Sequence, residues 1–310
     1  MLSGKVVGRS PSVEKILFAA RELGYRTNRP AYQLENLPLE IALVTQHDAE
    51  EFYSCLYESF DRMCSLSNIH LTVHSIKHST NIINQLRLIS MSSDGIVLMA
   101  PTLDNDHYKI INENINSFPI ISIAPVDENM ITTITFDSYR GGRLAAKLLL
   151  ESGHQRFGVI TGPLIKWEAN LRRNGYIDYL NREGFHVQWE YNGDYSFRSG
   201  EKAFNSIEQQ EKSLCIFSSN DQIALGFLHS ALENGYTIPG DFGMVGYDNM
   251  PYSKVFYPKL STVNTSLDDL AESALDYLKY RIKNKNVKKR KPTTTLLPVN
   301  IVKRKMHYYN

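Results

Sequence analysis

The stretch Ser213–Asn264, SLCIFSSNDQIALGFLHSALENGYTIPGDFGMVGYDNMPYSKVFYPKLSTVN, admits few architectures. Leu214–Phe217 is a short apolar run with the length of a buried strand, and Ser219-Asn220-Asp221 is a polar start for a helix. In that helix Ile223, Leu225, Leu228 and Leu232 lie along one stripe. Asn234-Gly235 ends it, Pro239-Gly240 turns the chain, and Met244–Tyr247 forms the next strand, which delivers Asp248-Asn249. Two strands thus each place a carboxamide or a carboxylate at a carboxyl end, the edge where open α/β sheets bind ligands.

The same alternation runs through the chain from Leu37. Strands are expected at Glu40–Thr45, Ile69–Ile76, Gly95–Met99, Pro119–Ile123, Phe157–Thr161 and Val187–Trp189. Helices are expected at Phe52–Ser65, Ile82–Ser90, Tyr139–Ser152, Asn170–Glu183, Ser199–Gln210 and Leu267–Lys283, with Thr293–Val302 extended. Repeated strand–helix units imply parallel sheets covered on both faces. Two half-chains of similar pattern meet near residue 138, as two Rossmann-like subdomains with a cleft between them would. No Gly-x-Gly-x-x-Gly follows any strand, so a dinucleotide cofactor has no support and no cofactor is expected.

With 310 residues, 42% hydrophobic and 22% charged, the chain suits about two domains. It has no run of about 18 apolar residues, and its first residues lack an apolar signal core, so no membrane partner is expected and a cytoplasmic location is. Cys55, Cys64 and Cys215 are too scattered for a disulfide framework or a zinc knuckle. The net charge of +1 favours no partner, but the first 35 residues are basic, and Arg281–Lys291 is a second basic run that reads as a solvated loop or as a phosphate contact.

Several linked blocks, SNDQIALG, TIPGDFGMVGYDN and PKLSTV, resemble the effector-binding core of the lactose-repressor (LacI/GalR) family of transcription regulators, with its S/A-N-D-x-x-A-L-G … V-V-G-Y/F-D … P-x-L-T-T-V pattern. The resemblance implies an α/β fold of two periplasmic-binding-protein-like (type I) lobes and a repressor function. The core would span 37–310, the first lobe about 37–137 and 265–294, the second about 138–264 and 295–310. It also implies a homodimer, with the helix Tyr139–Ser152 and the helix from Asp221 as candidate packing surfaces, and a small sugar-like effector that controls operator DNA binding.

Residues 1–36 resemble the last helix of that family's DNA-binding headpiece and its hinge. Ser10-Pro11 starts a helix, Val13, Ile16, Leu17 and Ala20 give its stripe, and Gly24 ends it. In the segment that follows, Asn28, Arg29, Ala31 and Leu34 match the hinge, and Leu34 matches the leucine that wedges into the minor groove. The family's helix-turn-helix, roughly 20 residues that read bases in the major groove, would lie before Leu2-Ser3-Gly4-Lys5. A truncated reading frame, a degenerate paralogue and a deliberate fragment are three open explanations. The operator-binding expectation therefore holds for a chain with the full headpiece; a solute-binding protein without gene control is the alternative.

The resemblance also nominates effector contacts. Asp248 matches the family aspartate that grips hydroxyls or a ring nitrogen; its bland reading is a turn aspartate. Asn220 suits a polyol or merely caps its helix. Tyr195, in GDYSFRSG, holds the position of a stacking aromatic or belongs to the core. Phe52-Tyr53 match the start of the first helix, and Gln46 and Asp48 follow the first strand. In GPLIKWEANLRRNGY the family's usual ligand-gripping arginine falls on Asn170 and Arg172 matches the second arginine, with Lys166 or Trp167 as compensating contacts. Enzymatic readings are poor. Neither H-E-x-x-H nor G-x-S-x-G occurs, Cys215 sits in an apolar strand, and no acid–base pair can be placed for a sugar-active enzyme.

Overall fold

The computed structural model of the chain describes residues 38–46, 51–76, 82–115, 118–125, 130–207, 214–284 and 291–305. The headpiece helix, the hinge residues Asn28, Arg29, Ala31 and Leu34, and Asp48 lie outside them.

The first lobe runs β1 (Leu39–Gln46), α1 (Glu51–Leu66), β2 (Ile69–Ile76), α2 (Ile82–Ser92), β3 (Gly95–Met99), α3 (Asn105–Ile115), β4 (Ile120–Ser122) and β5 (Thr133–Phe136). The second runs α4 (Ser138–Glu151), β6 (Phe157–Thr161), α5 (Trp167–Arg182), β7 (Val187–Asn192), α6 (Phe197–Asn205), β8 (Leu214–Ser218), α7 (Asp221–Glu233), β9 (Phe242–Asp248), α8 (Tyr252–Val255) and β10 (Ser261–Asn264). The chain then returns with α9 (Leu267–Lys283) and β11 (Thr294–Leu297) to the first lobe, and β12 (Asn300–Val302) closes the second.

Both sheets share one strand order, β2-β1-β3-β4-β5-β11 and β7-β6-β8-β9-β10-β12, parallel except for the antiparallel edge strand β12. In each the order reverses beside the lobe's first strand, between β1 and β3 and between β6 and β8. That reversal opens a crevice at the carboxyl edge.

The central strands of each sheet are buried on both faces, which explains their unbroken apolar runs. In β1, Ala42 and Val44 pack with Ile82, Leu86, Tyr108 and Ile111, while Ile41 and Leu43 belong to the core that also holds Leu56, Phe60, Ala274 and Leu278. α9 therefore completes the first lobe although it follows β10.

The last crossing is later than expected. Thr294–Leu297 pair with Thr133–Phe136, so residues 295–297 belong to the first sheet rather than to the second lobe. The ladder stops at Pro298, which has no N–H to continue it. The helices nominated for dimer packing bury most of their apolar residues inside the lobe, Ala145, Ala146, Leu148 and Leu149 of α4 and Ile223–Leu228 of α7, while Leu232 of α7 is exposed.

Candidate functional site

The carboxyl edges of both sheets meet at a cavity between the lobes that encloses about 600 Å³, counting its open mouth. The first lobe supplies Phe52 and Tyr53 from the start of α1, Met99 at the end of β3 and Pro101 after it, Ile123 and Pro125 after β4, Thr135 and Phe136 from β5, and Leu270 from α9. The second supplies Ser138, Lys166, Glu168, Arg172, Tyr195, Asn220 and Asp248. One wall is mostly apolar and aromatic, the other mostly charged.

Asp248 ends β9 with φ +95°, and Tyr195 has φ +72°. Such left-handed conformations are costly for residues with a Cβ and cluster where a side chain must be aimed. Arg172 lies on α5 facing Asp248, with Nη2 3.2 Å from Oδ1 and both side chains more than nine-tenths buried. Its Nη1 donates to the Ser219 carbonyl at 2.6 Å, and its guanidinium lies 3.8 Å from the centroid of the Tyr247 ring. The helix is held tightly enough to fix that geometry: a Cβ on Gly142 of α4 would fall on the carbonyl oxygen of Arg172, so only glycine permits this crossing.

The Tyr195 ring similarly lies against Gly162, where a Cβ would strike it, and the Lys166 ammonium sits 5.1 Å from the ring centroid. Glu168 is buried one helical turn before Arg172. Among the described residues its Oε2 has no hydrogen-bond partner, nor has Arg172 Nε, and Asp248 Oδ1 is met only by the Arg172 guanidinium. Burial pushes both carboxyls up from the ordinary range; Arg172 opposes the rise at Asp248, and Arg172 and Lys166 oppose it at Glu168.

Of the residues nominated from sequence, Asp248, Asn220, Tyr195, Arg172, Lys166, Phe52 and Tyr53 line this cavity. Asn220 does so while capping α7: its Oδ1 accepts from the Ile223 N–H at 2.8 Å and its Nδ2 donates to the Tyr195 carbonyl at 3.0 Å. Gln46, Asn170 and Trp167 do not line the cavity. Gln46 instead ties β1 to the turn after β3, its Oε1 accepting from the Thr102 N–H at 3.1 Å. Asn170 donates to the carbonyls of Leu164 and Lys166, and Trp167 is 40% exposed. Helical phase is the reason. On α5, positions 168 and 172 share the cleft face and position 170 points away, so the arginine of the cleft is Arg172 and not a residue at 170.

The sequence reading passed over Glu168, Ser138 and most of the first lobe's wall. Glu168 was recoverable from its four-residue spacing to Arg172; the wall residues Met99, Pro101 and Ile123 carry no signal beyond following strands. Among the described residues no group of three His, Cys, Asp or Glu side chains could hold a metal ion, and no helix is long and apolar enough to cross a membrane.

Two doubly wound lobes that share one cleft define a class of hinged small-molecule receptors. The chain belongs to the periplasmic binding protein-like domain family, whose model matches residues 146–305, and within it to the LacI-type regulators. It is 28% identical over 278 residues to the HTH-type transcriptional repressor PurR of Pasteurella multocida, covering 87% of this chain and 83% of that protein. It is also 28% identical over 276 residues to the ribose operon repressor of Escherichia coli K12, covering 86% and 83%. A lac repressor dimer bound to operator and the anti-inducer ONPF superposes with a TM-score of 0.79 at 26% identity, covering 91% of this chain and 98% of that one. These relatives are transcriptional repressors rather than enzymes.

Proposed function

We propose that the chain is the effector-sensing core of a LacI-type transcriptional repressor. A small sugar or sugar derivative enters the cleft, and its binding biases the lobe arrangement that governs operator DNA binding by a homodimer in the cytoplasm. The observation that carries the reading is the Asp248–Arg172 pair, buried at the junction of the lobes with polar capacity left over beside the ring of Tyr195. A sugar offers hydroxyls to such groups and C–H faces to aromatic rings. Phe52, Tyr53 and Phe136 on the opposite lobe would close over it, so that ligand and lobe closure favour one another. Operator contacts are assigned to the segment holding Asn28, Arg29, Ala31 and Leu34, together with a complete headpiece.

Titration calorimetry of the full chain against pentoses, hexoses, their phosphates and nucleobases tests this reading. A sugar that binds the wild type and loses about 100-fold or more in affinity with Asp248→Ala is the expected result, since a charge-assisted contact and its ion pair are both removed. A nucleobase that binds in preference to every sugar would overturn the assignment of effector class.

A further inference from the structure

We propose that Glu168 forms a second polar subsite of the cleft, and that this subsite selects an uncharged polyhydroxyl effector over its phosphorylated counterpart. The inference rests on the sugar reading above and narrows it. Glu168 is more than nine-tenths buried, stands in the cavity wall, and carries a buried Oε2 that no described group hydrogen-bonds. A buried carboxylate oxygen without a donor is expensive, and a ligand that supplies the donor gains what the empty site lacks.

The pattern of unfilled capacity defines the chemistry. Glu168 Oε2 lacks a donor, Arg172 Nε lacks an acceptor, and Asp248 Oδ1 has only the Arg172 ion pair. A hydroxyl group donates and accepts, so a polyol can meet all three. A phosphate monoester near neutral pH offers acceptors and a charge of about −1.5 to −2. Where it replaces a hydroxyl it would leave the facing carboxylate oxygen without a donor and set its charge beside it.

The cations do not reverse this preference. Arg172 is committed to Asp248, to the Ser219 carbonyl and to the face of Tyr247. Lys166 lies over the Tyr195 ring, and among the described residues the cavity wall sets two cationic side chains, Lys166 and Arg172, beside two carboxyls, Glu168 and Asp248. Burial raises the Glu168 carboxyl against the pull of Arg172, Lys166 and a hydrogen bond from its own backbone N–H. The site is thus built for a neutral guest.

The experiment compares matched pairs, ribose with ribose 5-phosphate and glucose with glucose 6-phosphate, by titration calorimetry on the full chain. The wild type is expected to bind one free sugar at least about ten-fold more tightly than its phosphate, the scale of one charge-assisted hydrogen bond. Glu168→Gln keeps the shape but turns part of the acceptor into a donor, and is expected to lose about ten-fold in affinity for the free sugar while the gap to the phosphate narrows. A phosphate ester that binds as well as its sugar overturns the selectivity, and this wild-type comparison stands even if the variant fails to fold. Unchanged sugar affinity in Glu168→Gln overturns the role of Glu168 while leaving the cleft assignment intact. Loss of binding in Asp248→Ala but not in Glu168→Gln separates the two claims. If neither member of any pair binds at millimolar concentration, the sugar reading falls and takes this inference with it.

Discussion

Replacing Arg172 with methionine keeps an unbranched side chain on α5 and removes one charge from a buried pair. At 3.2 Å, an effective dielectric of about 20 makes the attraction roughly 5 kcal/mol. The variant escapes part of that loss, because Asp248 can take up a proton. From an unfolded value of about 3.9, neutralising an aspartate costs roughly 4 kcal/mol at pH 7 and about 1.5 kcal/mol at pH 5. These figures bound the electrostatic deficit, and about 3–4 kcal/mol at pH 7 agrees with the usual penalty for orphaning a buried charge.

The sign of the pH dependence follows from the direction of the shift. Burial raises the Asp248 carboxyl in the folded protein and Arg172 opposes it. A carboxyl raised on folding contributes stability that is full below its unfolded value and is lost as pH climbs through the folded one. Without Arg172 the folded value rises further, so Arg172→Met should fall short of wild type least near pH 5 and most near pH 7. Urea unfolding at both pH values measures this. The double variant Arg172→Met/Asp248→Asn, which leaves no buried charge at the pair, should recover more than half of the deficit at pH 7. An Arg172→Met protein within about 1 kcal/mol of wild type at pH 7, or a deficit that Asp248→Asn does not reduce, would refute the account.

Two further outcomes follow from the packing around the cleft. Gly142→Ala should destabilise the chain by about 1–3 kcal/mol in urea unfolding, because its Cβ meets the carbonyl of Arg172 and forces α4 and α5 apart; this outweighs the roughly 1 kcal/mol that alanine gains as a helix former. Asn220→Ala should cost about 1 kcal/mol through the lost cap of α7, read in the same assay, and should weaken effector binding less than Asp248→Ala because both groups of Asn220 already serve the protein.

The parts of the fold legible in the sequence are those whose pattern is local and dense. The strands β8 and β9 and the helix α7 carry caps, turns and apolar runs in one uninterrupted stretch, and they lie where expected. α3 escaped notice because its inward side chains, Tyr108, Ile111 and Ile115, are spread over a polar segment, although Asp104 caps its start by accepting from the His107 N–H at 3.0 Å. β5 and β10, four residues each, are too short to show a period. In the cleft, alignment to a motif found Asp248, Tyr195 and Arg172, but it set weight on Asn170, which helical phase turns away. Glu168 was marked in the sequence only by its four-residue spacing to Arg172; that its Oε2 is buried without a hydrogen-bond partner among the described residues is visible only in three dimensions.

The lobes are joined at three places, by Asp137, by Thr265-Ser266 and by Pro298-Val299, each a link of one or two residues between elements of different lobes. Three such short tethers leave little slack: the lobes cannot drift apart or slide past one another by more than the links stretch, and bending is the motion that remains. The cleft thereby works as a gauge with a single dial. Whatever guest it takes, the protein can report its presence only as an angle, and a protease that severed one tether would leave the halves attached while spoiling the calibration.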